Sequence, residues 1–342
     1  MTKTTLKDLA RILNLSESTI SRALRDHPRI SVETRRRVKE LAEWMDYVPN
    51  QLAVNLLRQR TNTIGVIVPR IGYHLYATAI SGMEAEAEKE GFNIIIGQSA
   101  ESFERERAII QEMMYARTAG FIASIASETA DFEHFARIKR RGYPLVFFNR
   151  ECAEIYTDRV VIDNVGAARE AVSFLIRTGC RRIAYIGGPK FVQISKKREQ
   201  GYREALAAAG LPFRAQWVVH SEFNPLSARE AAAKLLALSA PPDAILAFSD
   251  QIAQNVMYVA KQRGVQIPDA LSVIGFNNEP ADALFEPALT SIEQPCFEMG
   301  RLAAELLITQ ILKRNPFYRT QTQVLQARLI LRRSTRNEAL DD

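Results

Sequence analysis

The sequence predicts an α/β fold preceded by a small helical domain. Two observations lead to this prediction. From Ile64 onward, apolar runs alternate with amphipathic stretches such as 76–90 and 164–178, whereas residues before Asn50 show only short helical patterns. Continuous apolar strands separated by helices are typical of parallel sheets covered on both faces. We therefore expect a helix-turn-helix head followed by two doubly wound, Rossmann-like subdomains.

The first two helices are predicted to form a tight pair. Apolar residues recur from about Leu6 to Leu13 with the spacing of one helix face. Asn14 tolerates the left-handed conformation that ends a helix, and Ser16 is a good N-cap for the next one. The second helix turns outward a polar face of Glu17, Ser18, Ser21, Arg22 and Arg25. This pair is either an ordinary αα-hairpin or a helix-turn-helix whose second helix enters the DNA major groove.

Charge favours the DNA interpretation. Ser31 is a candidate N-cap for a third helix, so the region would form a compact three-helix domain. Residues 1–60 contain 12 Lys/Arg and 7 Asp/Glu, a net charge of +5, against +6 for the whole chain. Basic charge concentrated in a small domain is typical of phosphate binding. The alternative, a merely solvated basic run at 35–37, is weakened by its position beside the helix pair.

The segment after Pro49 predicts a short hinge. Asn50 can cap a helix over 51–58, which is only marginally stable alone and needs a partner, either a second copy or DNA. Its leucines could insert as an apolar wedge at a base step in the minor groove. The alternative is a linker helix packed on the body.

The remainder predicts two lobes with a cleft. The predicted strands are 65–69, 92–97, 120–124, 144–149, 160–163, 182–188, 217–223, 244–250 and 271–277. Nine strands exceed one comfortable sheet, and the helix-free connection at 157–160 suggests that the chain crosses between lobes there. Ligands of such folds bind at the carboxyl ends of strands. Five polar or aromatic residues stand at these ends: Ser124, Asn149, Phe223, Asp250 and Asn277.

Composition and motifs argue against other classes. No segment reaches the ~18 apolar residues of a membrane span, and the N-terminus has no apolar signal core, so we expect a cytoplasmic protein. Cys152, Cys180 and Cys296 are widely spaced and suggest reduced packing residues. Enzyme motifs and metal-ligand spacings are missing, so we predict no catalytic site, metal or cofactor. The remaining alternatives are an enzyme or a cytoplasmic sugar-binding protein that uses the same α/β body.

The sequence resembles the lactose/galactose repressor (LacI-type) family of bacterial transcriptional regulators. The resemblance spans Leu6 to about Arg333, and its most specific parts are TLKDLARILNLSESTISRAL, DYVPNQLAVNLL, GGPKFVQISKKREQGY, FSDQIA, SVIGFNN and LTSIEQP. It implies a body of periplasmic-binding-protein type. It also implies a repressor that binds a palindromic operator as a homodimer and responds to a small-molecule effector. The predicted domains are a helix-turn-helix domain (1–49), a hinge (50–60) and a body (61–334). Within the body we expect an N-subdomain of about 61–158 and 293–320 and a C-subdomain of about 159–292 and 321–334.

The resemblance also assigns the DNA contacts. It puts Glu17, Ser18 and Arg22 at base edges, where Arg22 can make the bidentate contact to guanine. Hydroxyl groups suited to phosphate oxygens are those of Ser16, Thr19, Ser21, Ser31 and Thr34. Thr5 and Asn50 complete the predicted head contacts. Leu56 matches the hinge leucine that wedges into the minor groove, and Ala53 lies where two hinge helices pack.

For the effector cleft the resemblance implies eight residues: Tyr76, Ser124, Asn149, Arg198, Phe223, Asp250, Asn277 and Gln294. Asn149 and Asn277 stand where sugar-binding members commonly have Asp, and Lys190, Lys196 and Lys197 lie near Arg198 in sequence. A carboxylate would meet less repulsion there and could pair with Arg198. We therefore expect a sugar or sugar acid as effector. The short tail without leucine heptads predicts a dimer that lacks a tetramerising helix.

Overall fold

The computed structural model describes residues 4–24, 26–47, 61–313 and 318–336. The chain divides into two units, Met1–Thr61 and Asn62–Asp342. The predicted hinge helix, with Asn50, Ala53 and Leu56, lies outside the described residues, as does the tail after Arg336. Among the helices that are described, none is long and apolar enough to cross a membrane.

The described part of the first unit contains three helices, α1 (Leu6–Leu13), α2 (Glu17–Leu24) and α3 (Val32–Trp44). The predicted bounds of the first helix and the predicted cap at Ser31 are confirmed. α1 begins with a capping box, in which Thr5 Oγ1 accepts from the Asp8 N–H at 3.3 Å and the Asp8 carboxylate accepts from the Thr5 N–H at 3.0 Å. Asn14, at φ 50°, ends α1 in the left-handed conformation. Fully buried Leu9, Ile20 and Val38 join the three helices into one core.

The second unit alternates strands and helices, as predicted. Its strands are β1 (Thr63–Val68), β2 (Asn93–Gln98), β3 (Gly120–Ala123), β4 (Leu145–Phe148), β5 (Asp158–Ile162), β6 (Ile183–Gly187), β7 (Val218–His220), β8 (Ala244–Ala247), β9 (Ser272–Phe276), β10 (Thr290–Glu293), β11 (Thr322–Leu325) and β12 (Arg328–Ile330). Its helices are α4 (His74–Lys89), α5 (Phe103–Tyr115), α6 (Glu133–Arg140), α7 (Asn164–Arg177), α8 (Gln193–Ala208), α9 (Pro225–Leu236), α10 (Asp250–Gln262) and α11 (Cys296–Lys313).

These strands form two sheets and therefore two lobes. The first sheet has the order β11-β5-β4-β3-β1-β2, and the second has the order β12-β10-β9-β8-β6-β7. The pairing of β10 with β12 is antiparallel, and the other ladders of both sheets are parallel. α4 and α11 pack together in the first lobe, as α7 and α8 do in the second. In the described chain the lobes are connected three times, between β5 and α7, between β10 and α11, and between β11 and β12.

The predicted subdomain boundaries were wrong for two strands. The predicted second lobe includes 159–292 and 321–334, but β5 and β11 both belong to the first sheet. β5 pairs with β4, with Val146 opposite Asp158, and β11 pairs with β5, with Thr322 opposite Arg159. The irregular connection 149–157 is long enough to return the chain to the same sheet without a helix. The crossing between lobes therefore follows β5 and does not precede it.

Candidate functional site

The outward face of α2 presents the residues predicted to contact bases. Glu17, Ser18 and Arg22 are exposed, whereas Ile20 and Ala23 point into the core. Within the described chain, Arg22 makes no ion pair, so its guanidinium is available to a base edge. By contrast, two other cations of the head pair with Asp26: the Lys39 ammonium at 2.7 Å and the Arg35 guanidinium at 3.9 Å.

Most of the hydroxyl residues predicted to contact phosphate lie at the starts of the helices, whereas Ser21 lies in the middle of α2. Thr5 caps α1, Ser16 Oγ accepts from the Thr19 N–H at 3.1 Å, and Ser31 Oγ accepts from the Thr34 N–H at 3.1 Å. The Thr19 and Thr34 hydroxyls lie 2.8 Å from Ser16 Oγ and Ser31 Oγ. Helix N-termini bind anions through free N–H groups and the helix dipole. These hydroxyls therefore organise helix ends that are suited to a phosphate backbone.

A cavity in the body lies at the carboxyl ends of the strands, between the two lobes. Its volume is about 50 Å³, and six of the eight predicted effector residues line it: Tyr76, Asn149, Arg198, Phe223, Asn277 and Gln294. Three of these residues directly follow the last residue of a strand: Asn149 follows β4, Asn277 follows β9 and Gln294 follows β10. Asn149 and Asn277 adopt positive φ. The strand ends of both sheets thus bring side chains distant in sequence to one place.

Arg198 is the buried cation of this cavity. Arg198 lies on α8 and is 3% exposed. Its guanidinium carbon lies 3.2 Å from the ring centre of Phe276. Nε donates to Asn164 Oδ1 at 2.9 Å, and Nη1 donates to the Phe248 carbonyl. No described carboxylate forms an ion pair with it. Burial, opposed in part by neighbouring groups, lowers the pKa of Arg198, because desolvation disfavours the charged form.

Arg150 is a second buried guanidinium that the sequence analysis missed. It donates to both oxygens of Glu101, at 2.7 and 3.0 Å, so its charge is balanced. It also lies 4.9 Å from the ring centre of Phe223, which belongs to the other lobe. Its position directly after Asn149 at the end of β4 is a signal that could have identified it.

Glu279, also missed from sequence, lines the cavity from the second lobe. Burial raises its pKa, although the neighbouring His74 opposes this effect. Glu279 therefore brings a carboxyl group to the lining of the same cavity as Arg198.

Two predicted effector residues do not line the cavity. Ser124 is fully buried behind Tyr76, with its Oγ 3.2 Å from the tyrosine hydroxyl. Asp250 faces the β9–β10 region, where its carboxylate accepts from the Ser291 hydroxyl and from the Glu279 N–H at 3.0 Å. Burial, together with the nearby Asp282 carboxylate, raises the pKa of Asp250. Both residues therefore position lining residues, Tyr76 and Glu279, and do not face the cavity themselves.

The remaining lining amides are tied to their neighbours. Asn149 Nδ2 donates to the Tyr76 hydroxyl at 3.2 Å, and Gln294 Nε2 donates to Asn277 Oδ1 at 2.6 Å. Gln294 Oε1 is buried, and no described group donates to it. The cavity therefore combines fixed amides, aromatic rings and two buried guanidinium groups, of which Arg150 is paired with Glu101, and this lining suits a small polar molecule.

A helix-turn-helix domain joined to a two-lobed ligand-binding body defines a DNA-binding transcriptional regulator and not an enzyme. The chain belongs to the lacI family of bacterial regulatory proteins. Residues 5–50 match the profile of that family, and residues 172–335 match the periplasmic binding protein-like domain.

Full-length relatives support this assignment. The chain is 32% identical over 335 residues to the HTH-type transcriptional repressor CytR of Escherichia coli, covering 98% of this chain and 97% of CytR. It is 33% identical over 304 residues to catabolite control protein A of Priestia megaterium, covering 89% and 91% of the two chains.

Solved structures share the fold. The transcriptional regulator CelR in complex with cellobiose superimposes with a TM-score of 0.74 at 28% identity, over 97% of this chain and 100% of CelR. The lac repressor dimer bound to operator and the anti-inducer ONPF gives a TM-score of 0.86 at 20% identity, over 98% and 99% of the chains.

Proposed function

We propose that this regulator binds a palindromic operator as a homodimer, represses transcription, and changes its DNA affinity when a sugar or sugar acid occupies the cleft between the lobes. It acts in the cytoplasm, where the chromosome is accessible. A two-fold symmetric dimer matches a palindrome because each helix-turn-helix reads one half-site. The lac repressor, which has the same fold, was solved as a dimer on its operator.

In this proposal the head reads sequence through α2. Glu17, Ser18 and Arg22 face the base edges, and Arg22 contacts guanine. Six hydroxyl residues bind phosphates or orient helix ends toward them: Thr5, Ser16, Thr19, Ser21, Ser31 and Thr34. The hinge that contacts the minor groove is formed by Asn50, Ala53 and Leu56.

The effector proposal rests on one observation, the buried Arg198 guanidinium with no described carboxylate partner. Burying an unpaired charge is costly, and an anionic ligand that neutralises the guanidinium recovers part of that cost. Arg150 does not compete for the ligand charge because Glu101 already balances it. These features favour a sugar acid over a neutral sugar, with Tyr76 and Phe223 offering aromatic faces to the ring.

Two measurements test the proposal. An electrophoretic mobility shift with the region upstream of the protein's own gene should show a complex that is competed away by a palindromic fragment and not by unrelated DNA. Sedimentation at micromolar concentration should give a dimer. A monomer that shows no footprint on any palindrome would overturn the DNA proposal.

A thermal-shift screen of neutral sugars, sugar acids and sugar phosphates tests the effector proposal. Sugar acids should stabilise the protein most. Stabilisation by neutral sugars alone would refute the charge argument while leaving the regulator assignment intact.

A further inference from the structure

Two buried aspartates join α10 to the segment that follows β9. Asp250, at the start of α10, and Asp282, in a short 3-10 helix (Pro280–Leu284), are both fully buried. Their carboxyl groups are hydrogen-bonded to each other. A carboxylate has no hydrogen to donate, so this bond requires a proton on one of the two groups. A Cβ on Gly275 would lie 2.0 Å from Asp250 Oδ1, so backbone closes one side of the pair to water.

The other hydrogen bonds of the pair leave one oxygen for this proton. Asp250 accepts from the Ser291 hydroxyl through Oδ1 and from the Glu279 N–H through Oδ2. Asp282 Oδ1 accepts from the Gln254 amide at 2.9 Å. Asp282 Oδ2 is buried, and no described N–H group or hydroxyl donates to it. Because a buried acceptor without a donor is costly, a proton shared with Asp250 gives this oxygen the partner that it otherwise lacks.

No cation of the described chain neutralises the pair. Two arginines face it, Arg198 beside Asp250 and Arg332 beside Asp282, but neither forms an ion pair with an aspartate. The Arg332 guanidinium instead donates to a backbone carbonyl and to an asparagine side chain, both at 2.6 Å. The Glu279 carboxyl, also near Asp282, adds a further acidic group. Loss of the shared proton would therefore leave two adjacent buried negative charges that repel each other.

The segment 277–289 depends on this pair for its position. Its Asn277 and Glu279 side chains line the cavity between the lobes. The Asp282 N–H donates to the Glu279 carbonyl, and the Asp282 carbonyl accepts from the Leu289 N–H, both at 2.9 Å. Asp282 thus organises the backbone of the segment while its side chain attaches the segment to α10.

We propose that Asp250 and Asp282 form a proton-dependent switch, in which one shared proton holds the segment 277–289 against α10 and loss of that proton releases it. Burial raises the pKa of both carboxyl groups, so the proton is lost above the ordinary range of an aspartate. Because Asn277 and Glu279 lie in the segment, its release changes one wall of the cavity, whatever molecule the cavity binds. The second lobe thus responds to pH through groups that do not face the cavity.

Amide hydrogen exchange on the full chain, corrected for the intrinsic exchange rate at each pH, tests this switch. Between the ordinary pKa of an aspartate, about 4, and the raised pKa of the pair, release of the segment also releases a proton. Protection of the 277–289 amides should therefore fall by up to about tenfold per pH unit. Asp282→Asn supplies an amide that can donate to Asp250 at any pH, so it should remove this dependence. Asp269→Asn, at an exposed position of the same lobe, is the matched control and should keep the wild-type dependence.

Infrared spectroscopy gives a second measurement. At a pH where the segment is protected, the wild-type protein should show the C=O stretch of a protonated carboxyl that Asp282→Asn removes. Two results would overturn the inference: wild-type protection of 277–289 that does not change between about pH 5 and about pH 8, or an Asp282→Asn protein that keeps the wild-type dependence. Circular dichroism checks folding. If Asp282→Asn does not fold, Asp250→Asn removes the other carboxyl and has to meet the same prediction.

Discussion

At the scale of single residues, Arg198 is a buried positive charge that no described carboxylate neutralises. Its aromatic neighbours Phe248 and Phe276 bind a cation through their ring faces but supply no negative charge. The guanidinium is therefore held in place without being neutralised. A site of this kind is expected where a ligand brings the missing charge.

Arg198→Ala should weaken binding of the acidic effector by roughly 10- to 100-fold, because a charge-assisted hydrogen bond contributes about 1.5–3 kcal/mol. Calorimetry measures the loss. Arg203→Ala, on the same helix and paired with Glu199 at the surface, is the control and should retain the wild-type affinity. Equal affinities in the two variants would exclude Arg198 as the anion partner.

In the head, Arg22 is the residue that we propose contacts guanine. Arg22→Ala should cost about 1–3 kcal/mol of operator affinity and relax base preference at one position of each half-site. Binding measured across a library of operators with single base changes reports both effects. Arg36→Ala, at an exposed pair with Glu40, should leave base preference unchanged. If Arg22→Ala weakens all sequences uniformly, Arg22 contacts phosphate and not a base.

At the scale of elements, the contact between α4 and α11 fixes the first lobe. The two helices cross at glycines, where a Cβ on Gly300 would lie 1.8 Å from the Ala79 carbonyl oxygen and a Cβ on Gly82 would lie 2.1 Å from that of Phe297. Only residues without a side chain allow the backbones to approach so closely. The first turn of α4 carries Tyr76, so this crossing also positions one wall of the cleft.

Gly300→Ala should therefore destabilise the protein by about 1–3 kcal/mol or more, because the clash is with backbone that cannot rotate away. Urea unfolding, followed by circular dichroism, measures the change. Gly72→Ala is the matched control, since nothing lies within 4 Å of its added Cβ. Equal stabilities for the two variants would contradict the close helix crossing.

The salt bridge between Lys197 and Glu151 connects elements of different lobes. Its lysine side chain is 41% exposed, so the contact contributes less than about 1 kcal/mol. Lys197→Met should lower effector affinity by about 1.5- to fivefold, and 1 M salt should abolish the difference from wild type. Lys196→Met, an exposed neighbour, should have no effect. A Lys197→Met protein with wild-type affinity at low salt would show that this salt bridge does not contribute to effector binding.

At the scale of the whole molecule, the alternation of apolar strands with amphipathic helices was enough to predict two sheets and a cleft. It did not predict β10, β11 and β12, because TSIE, TQVL and RLI are short and mix polar with apolar residues. The assignment of β5 and β11 to a lobe depends on strand pairing between residues far apart in sequence, which no local pattern encodes.

Part of the cavity lining could also be predicted from the sequence. Position at a strand end located Asn149, Phe223 and Asn277, since parallel strands bring their carboxyl ends to one edge. The same rule misplaced Ser124 and Asp250, because a strand end does not determine the direction of the side chain. The resemblance to the lacI family predicted Arg198 as a cleft residue. Only the structure shows that no described carboxylate forms an ion pair with it.

We propose that one chain couples operator binding to an acidic sugar in the cleft, and operator affinity measured with and without effector tests this coupling most directly. Fluorescence anisotropy of a labelled palindrome should show that the sugar acid changes the affinity of the wild-type protein by about fivefold or more, the range of ordinary allosteric coupling. The Arg198→Met protein should bind the operator equally well and show no change when the acid is added. An operator affinity that is independent of every sugar acid, or an Arg198→Met protein that responds as wild type does, would contradict this coupling.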